Sequence, residues 1–222
     1  MAKTLFVTAT GTDIGKTYVT ALIIRKLRQH GLRAGYFKAA LSGAESLEES
    51  DAGYVNRRAE IGQDPGSLVP YWFREAVSPH LAARNAGQPI DFPRVREAFQ
   101  HVCARFDFVT MEGSGGIVCP IRWDETEHRL LEDVITDLGL GTVVVADAGL
   151  GTINAVVLTV EYLRQRKIPV RGVILNRWEG TGMQDDNRKM IEEIARIPVL
   201  ALVPPNAVEL EMKIEDLMKL YE

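Results

Sequence analysis

Near the start of the chain, Thr10-Gly11-Thr12-Asp13-Ile14-Gly15-Lys16-Thr17 joins small residues, a lysine and a hydroxyl in an order suited to holding phosphate. The segment follows a short β-like run, residues 5–9, and precedes a helical pattern, residues 17–30, that stops at Gly31. At such a junction successive backbone N–H groups and the positive end of the helix dipole face one point. Lys16 adds a mobile cation there, and the Thr17 hydroxyl can ligate Mg²⁺. The common pattern G-x-x-x-x-G-K-[ST] has Gly where this chain has Thr10, so the match is imperfect. A turn rich in small residues is the bland alternative, and the position of Gly15-Lys16-Thr17 at the junction favours the phosphate loop.

A second constellation lies downstream. Residues 108–112 form an apolar run ending in Glu112, followed by Gly113-Ser114-Gly115-Gly116. Glu112 would then lie at the carboxyl edge of a sheet, where a carboxylate can share the metal held by Thr17; an acid that caps a loop is the other reading. Lys38 ends another β-like run and points to the same edge, although a lysine at such a position is more often a strand-end surface charge unless it faces the nucleotide. Asp51 by itself reads as a solvated helix cap. The junction Gly149-Leu150-Gly151-Thr152-Ile153-Asn154 could receive an anion on its N–H groups, or be a plain turn into a helix. No histidine has an acid partner in sequence, and only His80 sits in a motif, Ser78-Pro79-His80, which reads as the first turn of a helix capped by Ser78.

These groups need elements to hold them. Short β-branched runs at 5–9, 34–38, 108–112, 142–147, 170–176 and 199–203 alternate with helical patterns at 17–30, 91–105, 153–166 and 184–196. That alternation, with runs as apolar as Thr142-Val143-Val144-Val145-Ala146, predicts an α/β fold: a doubly wound, mainly parallel sheet with helices on both faces. Residues 39–87 and 119–129 read as less regular, and residues 208–222 as an acidic amphipathic helix. The 222 residues, 46% hydrophobic, suit a single domain spanning 1–222. A net charge of −4 with no basic block argues against nucleic acid, and the acidic tail against an anionic membrane. Cys103 and Cys119 show no pairing or metal spacing, and residues 1–5 run directly into the first strand without an apolar leader, so a cytoplasmic, unprocessed protein is expected.

The ordered series of motifs resembles the ATP-dependent dethiobiotin synthetase family, a deviant class of P-loop NTPase-like enzymes. The likeness rests on Thr10, Thr12 and Gly15-Lys16-Thr17 in the loop. It continues through Gly35-Tyr36-Phe37-Lys38 with Ser42-Gly43, then Ser50-Asp51-Ala52 and Ser78-Pro79-His80. Glu112 to Gly116 with Pro120, then Leu150 to Asn154, and finally Asn176 complete it. The family's first loop Gly is Ala9 here and its loop Asp is Gly11. Its Lys-Pro is Lys38-Ala39, and the His after Thr-Ile-Asn is Ala155.

The resemblance implies ATP-dependent ring closure of 7,8-diaminononanoate with CO₂ or bicarbonate, with Mg²⁺ as cofactor and ATP as co-substrate. Thr17, Asp51 and Glu112 would hold Mg²⁺; Lys16 would bind phosphates; Lys38, Thr12 and Ser42 would surround the carbamate. Further nucleotide contacts would come from Asp13, Ile14, Gly15 and Tyr18, and from Gly113, Ser114 and Gly115. Asn176 would read the adenine, with Pro204 and Glu211 nearby. Thr152, Ile153 and Asn154 would bind the substrate carboxylate across a homodimer interface. One rival is a nucleotide switch of the chromosome-partitioning or division-site type, whose loop carries an additional lysine absent from residues 9–14 here. Another is a different amide- or ring-forming ligase; the cobyrinate amidating family, for one, carries a glutaminase domain for which this chain is too short. An ATP-binding regulatory module is a third.

Overall fold

The computed structural model describes residues 2–221. Its elements run β1 (Lys3–Ala9), α1 (Lys16–Gln29), β2 (Ala34–Lys38), β3 (Leu41–Ser42), α2 (Asp51–Arg58), β4 (Trp72–Phe73), α3 (Pro79–Asn85), α4 (Phe92–Cys103) and β5 (Phe108–Glu112). They continue with β6 (Pro120–Trp123), β7 (His128–Leu130), α5 (Leu131–Leu138), β8 (Thr142–Asp147), α6 (Thr152–Gln165), β9 (Val170–Asn176), α7 (Gly182–Ala195), β10 (Val199–Val203) and α8 (Ile214–Lys219).

Six strands form one sheet in the order β10-β9-β8-β1-β5-β2. Every neighbouring pair is parallel. Successive side chains of a strand point to opposite faces, and here both faces are apolar. In β1, Leu5 and Val7 join one core cluster with α1, α2 and α8, while Phe6 joins the other with α4, α5, α6 and α7. In β8, Val143 and Val145 share the first cluster and Val144 the second. Each fully buried side chain of this kind contributes roughly 2 kcal/mol of transfer free energy. The chain moves from β1 over α1 to β2 on one side, returns to β5, and then builds β8, β9 and β10 on the other. The reversal of direction falls beside β1, and the carboxyl ends of β1, β5 and β2 open there onto a crevice.

All six predicted strands are present and the four predicted helices lie within two residues of their expected ends. Three parts differ. Residues 120–130 make an antiparallel hairpin, stabilised in its turn by Asp124 Oδ1, which accepts from the N–H groups of Thr126 (2.8 Å) and Glu127 (2.9 Å). Helix α5 follows at once, its start bound by Asp133, which accepts from the Leu130 N–H at 2.7 Å, and its end set by Gly139 at φ 66°. The tail is helical only over Ile214–Lys219. Leu210 and Tyr221 anchor it instead, the Tyr221 ring edge-on to Phe108 and its hydroxyl bonded to Thr110. Glu222 lies outside the described residues. Among those residues, no helix is long and apolar enough to cross a membrane.

Candidate active site

The segment between β1 and α1 is held open by unusual backbone. Asp13 has φ 59° and Gly15, at the N-cap of α1, has φ 88°. A Cβ on Gly15 would also come within 2.2 Å of Asn176 Nδ2, so two independent constraints exclude a side chain there. The cause is that Asn176, the last residue of β9, and Arg177 just after it grip the loop from behind. Asn176 Nδ2 donates to Ile14 O at 2.8 Å, and Arg177 Nη2 donates to Asp13 O at 2.6 Å. In a trans peptide the C=O and the following N–H point in opposite directions. Fixing these two carbonyls toward β9 therefore turns the N–H groups of Ile14 and Gly15 the other way, as anion binding at a helix start requires.

Beside the loop, one buried carboxylate gathers several donors. Glu112, at the end of β5 with its side chain fully buried, accepts at Oε1 from Thr17 Oγ1 at 2.8 Å, with Lys16 Nζ and Lys38 Nζ each 3.3 Å away. Its Oε2 accepts from the Tyr36 hydroxyl at 3.3 Å. Lys38 also donates to Asp51 Oδ2 at 2.9 Å. Parallel pairing puts Lys38 level with Glu112 across β2 and β5, which is why two distant sequence positions meet.

Lys38 is only 3% exposed, so its reading as a surface charge is corrected: the side chain is enclosed between two carboxylates. Burial pulls its ammonium downward, but Glu112 and Asp51 together outweigh burial and raise its pKa above that of an ordinary lysine. Asp51 is held below the usual carboxylate range, chiefly by Lys38. It is not the helix cap; Ser50 is, its Oγ accepting from the Gly53 N–H, and Asp51 follows as the first residue of α2 with its carboxylate free to turn inward.

A cavity of about 830 Å³ lies over this cluster. Thr12, Asp13, Ile14, Gly15, Lys16 and Thr17 line it from the loop, and Lys38, Ser42, Asp51, Ser114 and Gly115 from the neighbouring strand ends. Ser42 donates to Val77 O at 2.6 Å and Ser114 to Ala40 O at 2.9 Å, contacts that tie their connections into the wall. The remaining expected residues stand elsewhere. Tyr18 faces away from the cavity, its hydroxyl donating to Ala207 O. Gly113 is packed so that a Cβ would meet Leu131 at 2.9 Å and Phe6 at 3.0 Å, a core constraint, and it does not line the cavity. Asn176 sits behind the loop. Pro204 and Glu211 are exposed on the segment after β10, and Thr152, Ile153 and Asn154 form the first turn of α6; none of these five lines the cavity. His80 borders a separate 160 Å³ pocket, with Nδ1 buried and unbonded among the described residues, and Ser78 holds the cap position of α3 without a side-chain bond.

Sequence reasoning missed Arg177 and Cys119, both on the cavity wall. Arg177 carried a signal, since it directly follows Asn176 at the carboxyl end of β9. Burial pushes the Cys119 thiol up to about 11 against the opposing pull of Lys16 and Lys38, which disfavours the thiolate that a nucleophile needs.

The oxygens of Thr17, Asp51 and Glu112 form a hard donor set. Among the described residues no group of three His, Cys, Asp or Glu side chains is placed to hold a metal. Two carboxylates and a hydroxyl suit Mg²⁺, which keeps waters and shares phosphate oxygens in place of an all-protein cage.

Loop, sheet and cluster together define a nucleotide-binding protein of the P-loop class. A family model described as an AAA domain matches residues 3–210. ATP-dependent dethiobiotin synthetase BioD of Brachyspira hyodysenteriae is 46% identical over 214 residues, covering 96% of this chain and 97% of the relative. The protein of the same name from Clostridium botulinum (strain Loch Maree / Type A3) is 43% identical over 227 residues, covering 100% and 99%. The chain belongs to the ATP-dependent dethiobiotin synthetase family. Among solved structures, the MinC:MinD cell division protein complex of Aquifex aeolicus (TM-score 0.56, 14% identity, 100% of this chain and 87% of that one) shares the fold. So does a ParA family ATPase of Chlorobium tepidum (TM-score 0.56, 14% identity, 99% and 91%). At that identity the likeness concerns the fold alone.

Proposed function

We infer that this chain is an ATP-dependent cyclo-ligase that joins 7,8-diaminononanoate and CO₂ into dethiobiotin, a step of biotin biosynthesis, with release of ADP and phosphate. The observation that carries this reading is the buried Lys38, set between Glu112 and Asp51 beside the phosphate loop in a chain of this family. One substrate amine adds to the carbon of CO₂ and loses a proton, giving a carbamate. A carbamate oxygen attacks the γ-phosphorus and ADP leaves. The second amine then attacks the activated carbonyl carbon, the C–O bond to phosphate breaks, and loss of a proton completes the cyclic urea.

Each step creates or moves negative charge, and the site answers with fixed positive groups. Lys16 and the loop N–H groups hold the phosphates. Lys38, with Thr12 and Ser42, faces the carbamate and the γ-phosphate, and because its raised pKa keeps it charged it acts as a cation and not as a proton carrier. Thr17, Asp51 and Glu112 are the residues that would hold Mg²⁺, which neutralises phosphate charge when bound. Asn176 serves the adenine side, with Pro204 and Glu211 beyond it. A phosphate-release assay tests the reading: release requires ATP, Mg²⁺, bicarbonate and the diamine together. Release that is unchanged when the diamine is omitted would overturn it in favour of a plain ATPase.

We place the substrate carboxylate on Thr152, Ile153 and Asn154 of a second subunit. This is supported by the exposure of Asn154, the exposed Leu150 (91%) and Leu158 (61%) around the same helix start, and the absence of this turn from its own chain's cavity. Light scattering should give a homodimer, and a fully active monomer overturns this assignment. We read residues 1–222 as one domain, since both core clusters share one sheet, and place the enzyme in the cytoplasm, which the two free cysteines support.

A further inference from the structure

The Arg177 side chain is 52% exposed, and an exposed arginine ion pair ordinarily contributes little. Its geometry is not that of a loose surface pair. One terminal nitrogen donates to the Asp13 carbonyl at 2.6 Å and the other to Asp147 Oδ2 at 2.6 Å, so a single planar group spans the phosphate loop and the end of β8. Both residues at the loop contact occupy left-handed backbone, Asp13 at φ 59° and Arg177 at φ 57°, conformations that persist only where surrounding bonds hold them. Asp147 is engaged on its other oxygen too, Oδ1 accepting from the Gly149 N–H at 2.7 Å. Asn187 of α7 then donates to the carbonyls of Ala148 and Gly149, each at 3.1 Å. A continuous bonded path therefore runs from the turn before α6, through Asp147 and Arg177, to the carbonyl whose orientation sets the Ile14 N–H.

We propose that Arg177 is a positioning residue that presets the phosphate loop for the nucleotide and ties it to the β8–α6 turn through Asp147. The proposal rests on the reading of the cavity as an ATP site. It assigns Arg177 an effect on nucleotide affinity exerted through the Asp13 peptide, and it makes Asp147, which does not line the cavity, sensitive to nucleotide only by way of Arg177.

Calorimetric titration with ATP·Mg²⁺ on full-length protein tests this. Arg177→Ala should weaken binding about tenfold, the size of one charge-assisted hydrogen bond, and raise the KM for ATP by a similar factor while kcat stays within about threefold. Arg177→Lys, a point charge without the fork, should recover only part of the affinity. Asp147→Asn should weaken binding about threefold alone and add nothing in the Arg177→Ala background, since the two act as one unit. Melting temperatures within a few degrees of wild type show that each variant is folded; if Arg177→Ala is not, the Asp147→Asn and Arg177→Lys pair gives the same reading. Wild-type affinity in Arg177→Ala, or effects of the two sites that simply add, overturns the proposal and leaves the functional reading standing. A wild-type protein that binds no ATP overturns the functional reading itself.

Discussion

Lys38→Gln should turn over at least about a hundredfold more slowly than wild type while binding ATP·Mg²⁺ nearly as well, the loss expected for one preorganised charge-stabilising group. The substitution removes a buried cation that lies 3.3 Å from Glu112 and 2.9 Å from Asp51. Breaking a buried pair usually costs several kcal/mol, because a charge is stranded. Here the stranding is limited. Glu112 keeps Lys16, Thr17 and Tyr36, and the Asp51 side chain is 53% exposed and can take up water. The variant should therefore fold, with a melting temperature lowered by roughly 5 °C, corresponding to about 1–2 kcal/mol for a chain of this size. Nucleotide affinity and single-turnover phosphate release on the same sample decide the matter. A normal chemical rate would remove Lys38 from the reaction, and a loss confined to ATP binding would make it a nucleotide ligand instead.

For Lys16→Ala the expected loss is larger, about a thousandfold in turnover, since this lysine meets charge both in bound ATP and in the transition state. Its side chain is only 10% exposed, and the residue begins α1. Removal is still tolerable for the fold. Lys38 and the Thr17 hydroxyl remain on Glu112 Oε1, and Ala is a better helix former than Lys. Circular dichroism should show a melting temperature within about 3 °C of wild type. Activity near wild type in such a folded variant would sink the phosphate-loop assignment.

Both variants turn on groups of differing legibility. The strands could be read from the chain because each is a short apolar run bounded by Gly, Pro or a charge, and a parallel sheet covered on both faces selects for that pattern. The phosphate loop was legible because Gly15-Lys16-Thr17 stands directly at a strand-to-helix junction. The hairpin at residues 120–130 and helix α5 were obscured, since charged residues that satisfy one another across a turn look like loop in one dimension: Arg122 pairs with Asp124 at 2.7 Å and with Glu127 at 2.9 Å. The irregular tail misled in the opposite direction. Its helical periodicity was overridden by the burial of Leu210 and Tyr221 against the sheet face.

What the sequence by itself determined was the local chemistry: which segments are strands, where a helix begins at a glycine, and which acids, lysines and hydroxyls stand at strand ends. What only the tertiary structure decided was who meets whom. Lys38 reads as a surface charge along the chain, and becomes a buried cation because β2 pairs in register with β5, setting it opposite Glu112. Asn176 reads as a strand end, and becomes a brace for the phosphate loop because the carboxyl edge of β9 stands close enough for its amide to reach Ile14. The physical reason is the same in both cases. Hydrophobic patterning fixes each element from near neighbours, whereas short-range ion pairs and hydrogen bonds act only once strand order and register have brought residues 74 and 162 positions apart within about 3 Å.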